Sequence, residues 1–319
     1  MSINLETKQS MREAFGKALE KLGHENPNIV ALDADLSGST QTKIFAKSFP
    51  DRFFNVGIAE QNLITTATGL ALTGKISFAA TFAMFATGRT YDQIRNSVCY
   101  SNANVKIIGS HGGLTVGEDG ATHQALEDVA LMRELPNMTV IVPADAKECE
   151  EAVKWATEHN GPVYIRLSRT NVPDIFENDY KLENKAKTLI DGTDVTIFTN
   201  GEMVANCIEA VNILKEKGIS AKVVNVPFIK PIDKEGIIHS VQQTGLAITV
   251  ENHSTIGGLG SAVCEVLAEH HPTPVFRLGV EDKFGQSGTP NELLKHYGLD
   301  AISIAGRIEG IYDSIKSSN

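Results

Sequence analysis

The sequence predicts an α/β protein of two domains, each a mainly parallel sheet flanked by helices. Three observations predict it. Short apolar runs of four or five residues alternate with helix-spaced segments along the chain, the pattern of parallel sheets covered on both faces. The 319 residues, at about 150 per domain, suit two domains. The alternation breaks once, in the polar stretch 171–194, which has no sustained apolar period and reads as an interdomain connection. The expected division is therefore 1–172, a linker at 173–190, and 191–319.

Met11, Phe15, Ala18, Leu19 and Leu22 recur at helical spacing, and Gly23 with Pro27 supplies stop chemistry. Residues 29–32 are a short apolar strand that runs into Asp33, Asp35 and the polar turn Ser37-Gly38-Ser39. The ends of parallel strands are where open α/β sheets build their sites. A strand is expected at 53–56, then a largely apolar, buried helix at 58–72 with Glu60 in its first turn, where the helix dipole favours a negative charge. A helix at 90–98, a strand at 105–108, a Gly-rich loop at 109–123 and a helix at 126–135 follow. A strand at 139–142 precedes a helix reaching Trp155, which Asp145 and Glu148 would start as a capping box. A strand at 163–167 closes the first domain. Beyond the linker come strands at 195–198, 222–226, 247–251 and 275–278, helices at 203–217, 234–243 and 259–270, and C-terminal helices.

Composition narrows the function. Hydrophobic residues are 42% and charged residues 21%, an ordinary globular mix that excludes disorder. The formal charge of −10 argues against nucleic acid or an anionic membrane as a partner held by the overall field. Cys99, Cys149, Cys207 and Cys264 are far apart and form no CxxC pair. That supports neither a thiolate zinc site nor a disulfide framework, and it suits a reducing cytoplasm. The first residues lack the basic and apolar regions of a secretory signal, and no run of about 18 apolar residues occurs.

Five local features bear on chemistry. The first is Gly57-Ile58-Ala59-Glu60-Gln61-Asn62, a carboxylate at a helix start; it is either a dipole contact or, in a dry site, a group able to hold or share a proton. In Thr81-Phe82-Ala83-Met84-Phe85, two aromatics three apart are either ordinary core or an apolar clamp for a flat heterocycle. The loop 111–124 packs His111, Glu118, Asp119, His123 and four glycines into fourteen residues. Glycine permits close ligand approach, and a core segment would not look like this, so the loop reads as functional. Metal binding is the weaker alternative there, because no spacing matches a common site. Arg12, Arg89, Arg95, Arg166 and Arg169 are scattered cations; Arg169 follows a strand, which suits anion capture, although a solvated ion pair is the ordinary use of any one of them. Gly257-Gly258-Leu259-Gly260-Ser261 would seat a phosphate or, more simply, make a tight turn with close packing.

Together these features resemble the transketolase family of thiamine diphosphate enzymes. GIAEQN, TFAMF, GEDGATHQALED, LPNMTVIVPAD and RLSRTNVP occur in the family's order and at close to its spacing. The resemblance spans essentially the whole chain and corresponds to the pyrimidine-binding domain followed by the C-terminal domain. The family's diphosphate- and metal-binding motif, GDG followed by Asn, is absent from these residues. The resemblance therefore implies the small subunit of a split transketolase, with Mg²⁺ or Ca²⁺ held by a separate N-terminal subunit that carries the GDG–Asn motif. An α2β2 assembly follows from the family's dimeric plan, and self-association through apolar helix faces is expected.

The resemblance also implies roles. Glu60 matches the catalytic glutamate that bonds the aminopyrimidine ring nitrogen, and Phe85 and Phe82 match the rings of the cofactor pocket. Where many relatives have a further aromatic, this chain has Gly88, with Tyr91 nearby. Asp35 matches a cofactor-side carboxylate. His123 matches the histidine beside the reacting two-carbon unit, and Asp119 the aspartate that reads a sugar hydroxyl. Arg12, Ser39, His111 and Arg169 match the positions that hold the substrate phosphate. The implied reaction is ketol transfer between sugar phosphates, with pentose phosphate exchange as the default. Rivals are a deoxyxylulose phosphate synthase-like or 2-oxo acid dehydrogenase beta-like subunit, and a non-catalytic assembly subunit. The segment 190–319 is expected to contribute mainly to assembly.

Overall fold

The computed structural model describes residues 4–318. In chain order its strands are β1 (Asn4–Ser10), β2 (Ile29–Asp33), β3 (Phe53–Asn55), β4 (Ile76–Phe82), β5 (Val105–Ser110), β6 (Thr139–Ile141), β7 (Val163–Arg166), β8 (Asn171–Asp174), β9 (Lys187–Ile190), β10 (Val195–Thr199), β11 (Ala221–Asn225), β12 (Phe228–Lys230), β13 (Ala247–Ser254) and β14 (Val275–Val280). One sheet has the order β12-β6-β7-β5-β4-β2-β3 and a second the order β14-β13-β10-β11-β9. Both are parallel except at an edge, where β12 and β9 run antiparallel to their neighbours. Mainly parallel sheets flanked by helices are what the sequence predicts.

Strand alternation explains the layers, because successive side chains point to opposite faces. On β2, Ile29 and Ala31 join the cluster under the helices Met11–Glu25 and Ala146–Glu158, whereas Val30 and Leu32 join the cluster under the helix Glu60–Leu72. The second cluster continues into Phe198, Val224, Leu259 and Val263, so one apolar core crosses between the halves. No described helix is long and apolar enough to cross a membrane.

Several elements differ from the sequence reading. Gly23 does not end its helix, which runs to Glu25; a Cβ there would lie 2.6 Å from the Phe49 ring, so the glycine admits an aromatic. The 58–72 helix is buried on one face only: Gln61, Asn62, Thr65 and Gly69 are exposed, Leu72 is 69% exposed, and Ile58 just before it is 79% exposed. Residues 90–98 form a short α-turn, Tyr91–Gln93, that widens into a π-helix at Ile94–Cys99. Asp145 caps its helix by accepting from Glu148 N at 2.7 Å, but Glu148 turns to Ala144 N instead of closing the box. The polar stretch after β7 is not featureless. It holds β8, which pairs with β1, and β9, which joins the second sheet. β12, from the C-terminal half, pairs with β6 and completes the first sheet.

Candidate functional site

Parallel register brings the C-terminal ends of β2, β4, β5 and β7 together. Asp33 stands opposite Ala80, Thr81 opposite Gly109, and Gly109 opposite Arg166. Asp33, Phe82, His111 and Arg169 all lie at or just beyond this edge, as expected for an open α/β sheet. Buried Asp33 accepts from Leu36 N, Thr40 Oγ1 and Thr42 Oγ1 at 2.5, 2.7 and 3.0 Å, which makes the turn bearing Ser39 helical.

One corner is aromatic. The rings of Phe82 and Phe85 stack with centroids 6.1 Å apart, and His123 sits edge-on to both, at 6.4 and 5.2 Å. Glu60, at the start of the helix Glu60–Leu72, is 3% exposed and accepts from Arg89 Nη1 at 2.8 Å. The same guanidinium lies 4.3 Å from the Phe85 ring centroid. Arg89 thus ties the buried carboxylate to the aromatic wall. The pairing has a signal in sequence, since Phe85 and Arg89 are four apart, but the reading of Arg89 as a scattered cation missed it.

The other corner is cationic. Arg12, in the first turn of its helix, donates to the backbone oxygens of Ser39 and Arg169 at 2.9 Å each. Its buried Nε has no hydrogen-bond acceptor among the described residues. Burial, then the neighbouring Arg169, lowers the Arg12 guanidinium from its ordinary value. Arg169 donates to Val116 O and to the exposed Glu118 carboxylate. Two arginines close together with an N–H left over suit an oxyanion. His111 completes this corner with its Nδ1 2.6 Å from Ser110 Oγ and with φ at +60°, a conformation unusual for a non-glycine residue. Burial, then Arg12, Arg169 and His123, push its imidazole down to about 3. His111 is therefore neutral at ordinary pH and acts as a neutral hydrogen-bonding group.

The corners share a wall, because His111 stacks on Phe82 with centroids 3.9 Å apart. The structure thus brings together Glu60, Phe82, Phe85 and His123 on one side and Arg12, Ser39, His111 and Arg169 on the other. It leaves Asp119 exposed at the end of the 3₁₀ turn Leu114–Asp119. Asp35 is exposed at φ +64° and is paired with Asn55, whose Oδ1 accepts from Asp35 N at 3.1 Å and from Gly57 N at 2.9 Å. Asn55 was not singled out in the sequence, yet it fixes the turn that leads into Glu60.

Two other features resolve as structure. Arg166 is buried, and its Nε donates to Asp128 Oδ2 at 2.8 Å, while Tyr164 Oη donates to the same oxygen at 2.7 Å. At the Gly257–Ser261 turn, Glu251 accepts from Leu259 N at 2.7 Å and Gly260 N at 2.8 Å, so the protein's own carboxylate fills that helix N-terminus. Among the described residues no group of three or more His, Cys, Asp or Glu is placed to hold a metal ion.

Comparison with known proteins now decides the family. The model of the transketolase pyrimidine-binding domain matches residues 7–174, and that of the transketolase C-terminal domain matches residues 184–304. This chain belongs to the transketolase family. It is 51% identical over 304 residues to a putative transketolase C-terminal section of Methanocaldococcus jannaschii, covering 94% of this chain and 95% of that protein. It is 43% identical to the 6-deoxy-6-sulfo-D-fructose transketolase subunit SqwH of Clostridium sp., covering 92% of each. A solved structure described as a split gene transketolase, inactive beta4 tetramer, superposes with a TM-score of 0.88 at 54% identity, covering 94% of this chain and 97% of that one. These relatives are themselves transketolase sections or subunits. In transketolase terms, the seven-stranded sheet bears both corners of the site, and the C-terminal domain supplies its outermost strand, β12.

Proposed function

We propose that this chain is the small subunit of a thiamine-diphosphate-dependent transketolase, transferring a two-carbon ketol unit from a ketose phosphate to an aldose phosphate. The observation that carries the reading is the Phe82–His111 stack, which joins an aromatic corner containing a buried carboxylate to a corner with two arginines. The donor set fits the cofactor's pyrimidine end: two aromatic faces, one buried carboxylate at a helix start, and no metal ligands required. When bound, thiamine diphosphate supplies the carbon nucleophile. Phe85 and Phe82 hold and orient a flat ring and exclude water. Glu60 Oε holds a proton against a ring nitrogen. His123, at the edge of the aromatic wall, is the hydrogen-bonding group beside the reacting carbons, and Asp119 reads a sugar hydroxyl. Arg12, Arg169, His111 and the Ser39 turn hold the terminal phosphate, and Asp35 supports the cofactor side through Asn55.

The diphosphate and its Mg²⁺ or Ca²⁺ are assigned to an N-terminal partner subunit carrying the GDG–Asn motif, in an α2β2 assembly. The exposed Ile58, just before Glu60, and Leu72, at the far end of the same helix, are apolar positions open to partner or self-association. The four cysteines, all free thiols, suit a reducing cytoplasm. A second reading changes only the sugar. A terminal sulfonate presents three oxygens to an arginine pair, as a phosphate does but with less charge, and one relative is named for a 6-sulfo sugar.

The test is a coupled ketol-transfer assay with thiamine diphosphate and magnesium, run on the chain alone and with the GDG–Asn partner. Donors are xylulose 5-phosphate and a 6-sulfo ketose, and the acceptor is ribose 5-phosphate. Activity in the mixture alone, lowered at least about a hundredfold by Glu60→Gln, supports the proposal. Full turnover by the Glu60 variant refutes it.

A further inference from the structure

Glu202 stands at the N-cap of the helix Met203–Glu216, in the C-terminal half, yet most of its partners lie in the first half. Oε1 accepts from Thr115 Oγ1 at 2.7 Å and from Asn252 Nδ2 at 2.5 Å. Oε2 accepts from Ser168 Oγ at 2.7 Å and Thr170 Oγ1 at 3.0 Å. A carboxylate has about four acceptor sites, and here all four are in use.

The donors are not scattered. Ser168 and Thr170 flank Arg169, whose backbone oxygen receives Arg12 Nη2. Thr115 precedes Val116, whose oxygen receives the Arg169 guanidinium. Asn252, bonded to Glu202, uses its own Oδ1 to accept from Leu114 N at 2.9 Å. The backbone on either side of Arg169 and the segment that receives its guanidinium are thus fastened to a single carboxylate from the other half of the chain. Gly113 shows how tight the contact is: at φ +83°, a Cβ there would lie 2.4 Å from Asn252 Nδ2.

We propose that Glu202 is a positioning residue for the anion-binding corner, so that the C-terminal domain sets how well the site distinguishes phosphorylated from unphosphorylated acceptors. The inference rests on the phosphate role given above to Arg12 and Arg169. Glu202 touches no reacting atom. It acts by fixing the backbone of Arg169 and of residues 113–116, and displacements of about 1 Å in such supports are costly.

The test compares Glu202→Ala, Glu202→Gln and Arg169→Ala with the wild type. In the reconstituted complex, Glu202→Ala should raise KM for ribose 5-phosphate about tenfold, with kcat and the KM for an unphosphorylated aldose changed by less than about twofold. On the chain without partner, amide exchange in residues 113–116 should quicken while the helix Met11–Glu25 keeps its protection. Glu202→Gln should restore most of both, because its amide keeps an acceptor for Thr115 and Asn252 and can donate to the hydroxyls of Ser168 and Thr170. If Glu202→Ala does not fold, Thr170→Val should give a smaller shift in the same direction. Equal changes for both acceptors, or unaltered loop exchange, overturn the inference. Arg169→Ala separates the two readings. If it removes discrimination and Glu202→Ala does not, only the role of Glu202 falls. If it too leaves discrimination intact, the phosphate assignment itself falls.

Discussion

His111 stacks on Phe82 with ring centroids 3.9 Å apart, and through that contact a buried, neutral imidazole becomes the partition between the carboxylate corner and the arginine corner. Its proton affinity follows from its place. The folded chain holds the imidazole at about 3 against an ordinary 6.5, chiefly through burial. Between those values the unfolded chain binds the proton more readily. The stability contribution is therefore fully present above pH 6.5 and is lost as pH falls toward 3, with a slope of up to about 1.4 kcal/mol per pH unit. Urea unfolding at pH 7, 6, 5 and 4 should show a steeper acid loss in the wild type than in His111→Gln. Parallel curves would contradict it.

Arg89 and Glu60 form an unequal pair, with side chains 46% and 3% exposed. The half-exposed guanidinium is screened, so the coupling is well below that of a fully buried pair. A double-mutant cycle with Arg89→Met and Glu60→Gln, read by urea unfolding at pH 7, should return a coupling of about 1 kcal/mol. Additive effects would show that the carboxylate does not depend on this cation.

Asp128 carries a larger burden. It is fully buried and its Oδ2 accepts from both Arg166 and Tyr164. Arg166 in turn donates to the backbone oxygens of Ala125 and Asn252, which joins the 111–125 loop to β13. Asp128→Ala leaves a buried guanidinium without its counter-charge and should cost about 3–5 kcal/mol. A loss under about 1 kcal/mol in denaturant unfolding would mean that the cluster rearranges freely.

Lys106 acts with the same sign in an alkaline window. It is fully buried on β5, and its Nζ donates to His159 O at 2.7 Å and Gly161 O at 2.6 Å. Burial lowers its ammonium to about 7 from 10.5. The unfolded chain binds more protons between these values, so this group's contribution rises with pH from 7 to 10.5 and is at its smallest below 7. The stability difference between wild type and Lys106→Met, followed from pH 7 to 10, should grow in favour of the wild type. A constant difference would show that Lys106 titrates normally.

Much was legible in sequence because it is local. Helix spacing, the Asp145 cap and the apolar runs of β2, β5 and β10 depend on neighbours a few residues away. The strands that escaped did so for physical reasons. In β4, both faces are buried and small residues carry little strand preference, so no alternation marks it. β12 and β9 are three and four residues long, and what makes them strands is pairing with distant partners.

The candidate site divides the same way. By itself the sequence determined the α/β class, the transketolase resemblance and the residue types at Glu60, Phe82, Phe85, His111, His123, Arg12 and Arg169. It could not determine that Arg89 would meet Glu60, that Asn55 would hold the turn before it, or that Glu202 would reach back across the chain to the segments on either side of Arg169. Those relations join positions 20 to 87 residues apart. Only tertiary structure decided them, because a hydrogen bond acts over about 3 Å and nothing in the local pattern encodes which distant segment the fold will bring within that reach.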